Sequence, residues 1–144
     1  MKIGETRFGT LLKVRTIQEK KTQDELTQIR TKKEEERQTL TRLEETRDSE
    51  IEGNDTKSKM SAKDLQTSRA FLRRIATEIA SQQDKVGEIE AREDAKRDEL
   101  VERSQSRKMV ENLDEKSRAQ AVREADRKEQ RLIDVLAQRV KLET

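Results

Sequence analysis

The chain of 144 residues contains no cysteine, no histidine, no proline, no tryptophan and no tyrosine, and only two phenylalanines. Each absence closes a class. Without cysteine there is no disulfide framework, and without cysteine or histidine the usual ligands of zinc are missing. Leu, Ile, Val and Phe together make up about 20% of the residues, too few for a globular core and close to the level at which chains stay disordered. No run of about 18 apolar residues exists to cross a bilayer, and the N-terminus lacks the short apolar core of a signal peptide. A cytoplasmic location is therefore the expectation. The four glycines are scattered, so no loop is built to cradle phosphate. Carboxylates abound, but on solvated helix faces they titrate near their reference values, which does not suit general acid–base work. The chain reads as a non-enzyme with no cofactor and no metal.

Charge is what the sequence has in abundance. It makes up 44% of the residues, with 33 basic side chains nearly matched by 31 acidic ones. Near balance argues against disorder, and a charge-rich, proline-free, periodic chain is a long helix. The periodicity is interrupted once, in "EIEGNDTKSKMSAKDLQ". There Gly53 and Asn54 tolerate left-handed backbone, Asp55, Thr56 and Ser58 compete for backbone hydrogen bonds, and Ser61 with Asp64 resembles a capping box. The spacing predicts helix 1 over about 5–52, a loop over about 53–61 and helix 2 over about 62–142. Gly87 lies inside helix 2, where it costs about 1 kcal/mol relative to alanine.

Heptads can be counted in both helices. Leu12, Leu26 and Leu40 share one position, Phe8, Ile29 and Leu43 another, with Arg15, Thr22 and Glu36 as weaker members. In helix 2, Leu65, Leu72, Ile79, Val86 and Leu100 share a register, with Ile75 and Ile89 as partners. This is the narrow seam of a coiled coil. Acid-first i,i+4 pairs such as Glu88–Arg92, Glu93–Arg97, Glu99–Arg103, Asp114–Arg118 and Glu124–Lys128 are expected on solvated outer faces. A short loop folds the helices back on each other. The fold class is all-α: a monomeric, antiparallel coiled-coil hairpin, one unit over 1–144, whose longer second helix overhangs the first. At about 1.5 Å per residue helix 1 spans roughly 70 Å and helix 2 roughly 120 Å. A turn centred near residue 57 sets Phe8 opposite about residue 106, leaving everything beyond about 112 overhanging. The phase also slips at Val122, Ala125, Leu132 and Leu136. The last segment, "RLIDVLAQRVKLET", crowds Leu132, Ile133, Val135, Leu136, Val140 and Leu142 beside Arg127, Lys128, Arg131, Arg139 and Lys141. An apolar stripe on a lone helix marks an interaction site.

Three segments, in order and nearly spanning the chain, carry a family resemblance. "RFGTLLKVR" is similar to the opening signature of the FliJ family of flagellar type III export, related to the injectisome YscO stalks. "MSAKDLQTSRAFLRRIATEI" resembles that family's second-helix start. "RKMVENLDEKSRAQAVREADRKEQRLIDVLA" resembles its C-terminal segment through Glu111, Leu113, Glu129, Gln130 and Asp134. The resemblance implies a two-helix stalk like the shaft of rotary ATPases, cytoplasmic and peripheral to the export apparatus at the inner membrane. Its terminal end would enter a hexameric, FliI-like export ATPase, through Arg7, Phe8, Leu11, Leu12 and Arg15 on one side. On the other side the residues would be Gln130, Arg131, Leu132, Leu136, Arg139 and Val140. Its flank would contact the linker of an FlhA-like export gate protein through Phe71, Ile75 and Gln82, and export chaperones are further partners of some members. Family members often carry aromatic residues on helix 1 at the gate face, where this chain has only Leu40 and Leu43.

Two other readings compete. Residues 103–144 carry 11 basic against 8 acidic side chains. That interleaved excess releases few counterions and comes with no aromatic platform for bases, so no nucleic-acid partner is expected. A structural coiled coil that dimerises through its C-terminal helix, or the equivalent stalk of a virulence injectisome, is the alternative to the flagellar stalk.

Overall fold

The computed structural model describes residues 7–56 and 59–143. They form two helices, α1 (Arg7–Thr56) and α2 (Ala62–Glu143), and among the described residues only Lys59, Met60 and Ser61 lie outside them. There are no strands among these residues, and the helices pack against each other with the second much the longer, 82 residues against 50. Cross-helix partners run in opposite directions along the two elements: Glu50 accepts from Ser68, Glu36 from Gln82, Glu25 from Lys96 and Glu19 from Arg107. The pairing is therefore antiparallel.

α1 continues to Thr56, four residues beyond the end read from the sequence, and carries Gly53 and Asn54 with it. A side-chain latch explains the extension. Asn54 donates to Ser68 Oγ at 2.6 Å, and Ser68 donates in turn to Glu50 at 2.9 Å. Asn54 spends its polar group on α2 instead of turning its own backbone, and no described residue takes positive φ. Past the connection, Ser61 Oγ accepts from the Asp64 amide at 3.1 Å, capping the first turn of α2. The expected helix start near residue 5 and the loop residues 57 and 58 lie outside the described residues.

Buried and half-buried positions follow one rule. In α1 they run from Phe8 to Asn54, and in α2 from Ser68 to Ala121, at alternating steps of four and three. That mean period of three and a half residues is the coiled-coil seam. Its composition is mixed. Leu26, Ile75, Ile79, Val86, Ile89 and Val110 are buried, but so are Thr22, Ser68, Gln82, Glu93 and Asp114. Leu65, given to the seam by the sequence, is exposed instead, because it precedes the first interlocked layer at Ser68.

The chain divides into two compact units. One is Gln23–Glu99, and the other joins Met1–Thr22 to Leu100–Thr144. In the first, the apolar layers of Leu26 and of Ile75 to Ile89 alternate with polar ones. Gln82 donates to the Glu36 carbonyl at 2.9 Å and to its carboxylate. Glu93, only 6% exposed, is held by Lys33 and by Arg97 at 3.0 Å. In the second unit, Gln18 meets Arg103 at 3.3 Å and Glu19 meets Arg107.

This register moves the overhang. Asp114 is 5% exposed, and Ser117, Ala121 and Ala125 are half-buried, so the fully exposed stretch begins at Asp126 and not near residue 112. Because α1 runs further before the chain turns, each of its residues faces a later position on α2. Phe8 then lies near Asp114, not residue 106. The step from Ala121 to Ala125 breaks the alternation where the sequence phase slips.

Gly53 and Gly87 have open space where a Cβ would stand, with nothing within 4 Å. Gly53→Ala and Gly87→Ala are each expected to stabilise the fold by about 1 kcal/mol, raising the thermal midpoint by a few degrees. A melt followed by circular dichroism checks this; an unchanged or lowered midpoint for Gly53→Ala would mean that α1 does not continue through that position.

Candidate partner-docking surfaces

A chain of two long helices offers surfaces, and two of these hold the residues singled out from the sequence. The first is in the unit that contains the chain ends. α2 advances from Asp126 to Glu143 with every side chain exposed. Leu132 is 61% exposed and Leu142 86%, with Ile133, Val135, Leu136 and Val140 between. Leu132, Leu136 and Val140 follow one another at helical i,i+4 spacing and share a face. Gln130 donates to Asp134 at 3.1 Å across one turn, while Arg131 and Arg139 stand exposed beside the stripe.

The residues of α1 assigned to the same tip lie elsewhere in that unit. Arg7 caps the Phe8 ring with its guanidinium 4.8 Å from the centroid. Phe8 and Leu12 are half-buried in the seam, and Leu11 is exposed beside them. Arg15 turns inward, donating to Gln18 at 3.2 Å, which also accepts from Arg103. Since Gln18 faces Arg103, Arg7 sits near residue 114, about 27 Å along the helix from Leu132 at 1.5 Å per residue. The two halves of the expected tip are thus not brought together; the side chains of the α2 half are exposed.

The second surface belongs to the unit Gln23–Glu99. Phe71 is half-buried and forms one wall of a shallow groove lined by Arg42, Glu45, Thr46, Ser49 and Glu50 of α1. Arg74 packs over its ring at 5.5 Å. Ile75 and Gln82, grouped with Phe71 from the sequence, are buried in the seam at 5% and 6% exposure. They position the Phe71 face but present nothing of their own to a partner. Leu40 and Leu43 are likewise half-buried in the seam.

Sequence reasoning placed Glu93 and Asp114 on solvated outer faces, and their i,i+4 pairs do form, Glu93–Arg97 at 3.0 Å and Asp114–Arg118 at 3.1 Å. Both carboxylates are nevertheless buried seam residues. The signal was present: Glu93 is one heptad past Val86, and Asp114 two past Leu100. By contrast Glu99 pairs with Lys96 at 2.9 Å, and Arg103 turns to Gln18.

Seam charges shift in the direction of their partners. The Lys33 ammonium, aided by Arg97 and opposed by burial, holds the Glu93 carboxyl below the ordinary carboxylate value. Glu25, then Glu99, raise Lys96, and Glu19 raises Arg107. A carboxylate lowered on folding adds stability above its unfolded pKa, near 4.5, and loses it as pH falls through the folded value. The melting midpoint should therefore drop on acidification below that range, and Glu93→Gln should flatten part of the drop. An identical acid limb in the variant would remove Glu93 from the account.

The chain belongs to the flagellar FliJ family, whose model, "Flagellar FliJ protein", matches residues 4–142. No curated protein and no solved structure matches the chain. Membership makes it a protein of the flagellar export apparatus, in a family of non-catalytic export components. No helix among the described residues is long and apolar enough to cross a membrane.

Proposed function

We propose that the protein is the central stalk of the flagellar type III export apparatus, docking its C-terminal helix into the hexameric export ATPase. It works on the cytoplasmic side, peripheral to the inner membrane, and links the ring to the export gate. The observation that carries this reading is the run from Asp126 to Glu143, a helix exposed all round with an apolar stripe. An isolated helix of this length is marginal in water, so a surrounding protein is what gives it a reason to be helical and apolar. The flanking Arg131 and Arg139 suit acidic loops at a ring pore. Arg7, Phe8, Leu11, Leu12 and Arg15 act indirectly, by anchoring α1 against the segment of α2 that precedes the tail.

The gate contact runs through Phe71 and the α1 wall of its groove, with Ile75 and Gln82 holding the face in place. From α1 this groove supplies polar side chains, Arg42 and Glu45 among them. Export chaperones are further partners of the same adaptor. Co-purification with the export ATPase and with the gate linker from the same organism tests both contacts. Capture of neither would overturn the stalk reading.

A further inference from the structure

Charge is almost everywhere on this chain, which makes one face stand out. In the unit that joins Met1–Thr22 to Leu100–Thr144, the side of α2 next to the seam carries Gln105, Ser106, Met109, Asn112 and Leu113 in succession. The matching side of α1 carries Leu11, Val14 and Gln18. Heptad position decides that these share one side. Equivalent flanking positions of two antiparallel helices face each other, as the 2.6 Å pair between Arg37 and Glu90 shows elsewhere in the chain. Leu11 and Leu113 hold the other flanking position, while Val14 and Met109 sit one place further out. Met109 is 65% exposed, and Leu11, Val14 and Leu113 are all exposed. In a chain that is 44% charged, these eight positions contain no charge.

What bounds the patch says what covers it. Along α2 it ends at Glu102 on one side and Lys116 on the other, each one heptad from Met109 and at its heptad position. Neither makes an ion pair among the described residues. We propose that two copies of the chain pair through this face, α2 antiparallel to α2, with the two-fold axis at Met109. That operator sets Met109 on Met109 and Glu102 against Lys116 of the second copy, twice. It also sets Ser106 against Asn112, and Gln105 against Leu113. The face is complementary to itself in charge, polarity and length, which is what an isologous interface requires. Leu11 and Val14 extend the apolar contact on the α1 side. This pairing leaves the apolar stripe of the tail out of the interface, and so differs from dimerisation through the C-terminal helix.

The interface is small and partly polar, so the pairing is a weak, reversible one. Sedimentation of the full chain over a concentration series should show the mass rising from 16.8 kDa toward twice that value. Glu102→Lys sets lysine against Lys116 twice, and Lys116→Glu sets acid against Glu102 twice; each alone should weaken pairing about tenfold. Mixing the two variants restores both ion pairs and should recover the dimer. A different partner surface would not give that recovery. The chain has no cysteine of its own, so Met109→Cys introduces a single thiol on the axis. It should cross-link to itself under mild oxidation, while Val101→Cys on the opposite flank should not. A monomer at every concentration would overturn the proposal. So would a dimer that ignores both charge reversals, or one that is lost only when residues 128–144 are removed.

Discussion

Removing residues 128–144 should abolish stimulation of the export ATPase while leaving the melting temperature of the hairpin within about 2 °C of the full chain, the range of surface changes. Two physical facts combine in that expectation. Side chains 128–143 are all exposed, so their loss breaks no seam layer. In the proposed docking, by contrast, these residues carry the contact, because Phe8 and Leu12 of α1 lie opposite the earlier part of α2 near Asp114. Charge reversal at Arg131 and Arg139 is the milder companion. It should weaken association with the ring more at low salt than at high salt, since exposed charges are screened within about 10 Å at 0.1 M. A deletion that lowers the midpoint strongly while stimulation survives would show that the tail serves the fold and not the ring.

The second large effect separates two residues four apart on α2. Ile75→Ala should cost about 3 kcal/mol and lower the melting midpoint by roughly 10 °C, because the side chain is buried between the helices. Phe71→Ala removes a ring that is only half-buried at the groove edge. It should weaken binding to the gate linker at least tenfold with little change in the melt, as loss of an aromatic anchor does at an interface. Titration of the linker beside parallel melts reads both. Undiminished linker binding by Phe71→Ala would remove that face from the gate contact.

Much of this architecture was legible in the sequence. Leu12, Leu26 and Leu40, with Leu72, Ile79, Val86 and Leu100, fix the seam register by spacing alone, since only one face of each helix repeats them. The single break gives the hairpin, and the excess length of α2 gives the exposed tail. Two things were harder to read. The polar residues of the seam, Glu93 and Asp114 above all, share the heptad positions of Val86 and Leu100, but their charge reads as surface until a partner helix lies over them. Likewise Asn54 looks like a turn residue until Ser68 is brought within reach. The partners across the helices are invisible to periodicity, and the later turn moves the position facing Phe8 from about 106 to about 114. For the candidate sites, the tail was visible as apolar density in a charged chain. The inward turn of Gln82 was not, although Arg15 and Ile75 already stand at heptad positions, because a polar residue three past Ile79 looks like surface.

The latch of Asn54, Ser68 and Glu50 also sets an order of events in folding. Ser68 and Glu50 are 18 residues apart in sequence, whereas Glu19 and Arg107 are separated by 88. Closing the longer loop from an open chain costs more entropy, but once the latch has formed each successive layer adds only a short increment. The hairpin should therefore close like a zipper from its latched end, with the Arg107 layer formed late and opened first. Backbone amides around Thr22 and Val110 would then exchange with solvent ahead of those around Ile75 and Ile79. The end of the hairpin farthest from the latch is then the end that opens at least cost.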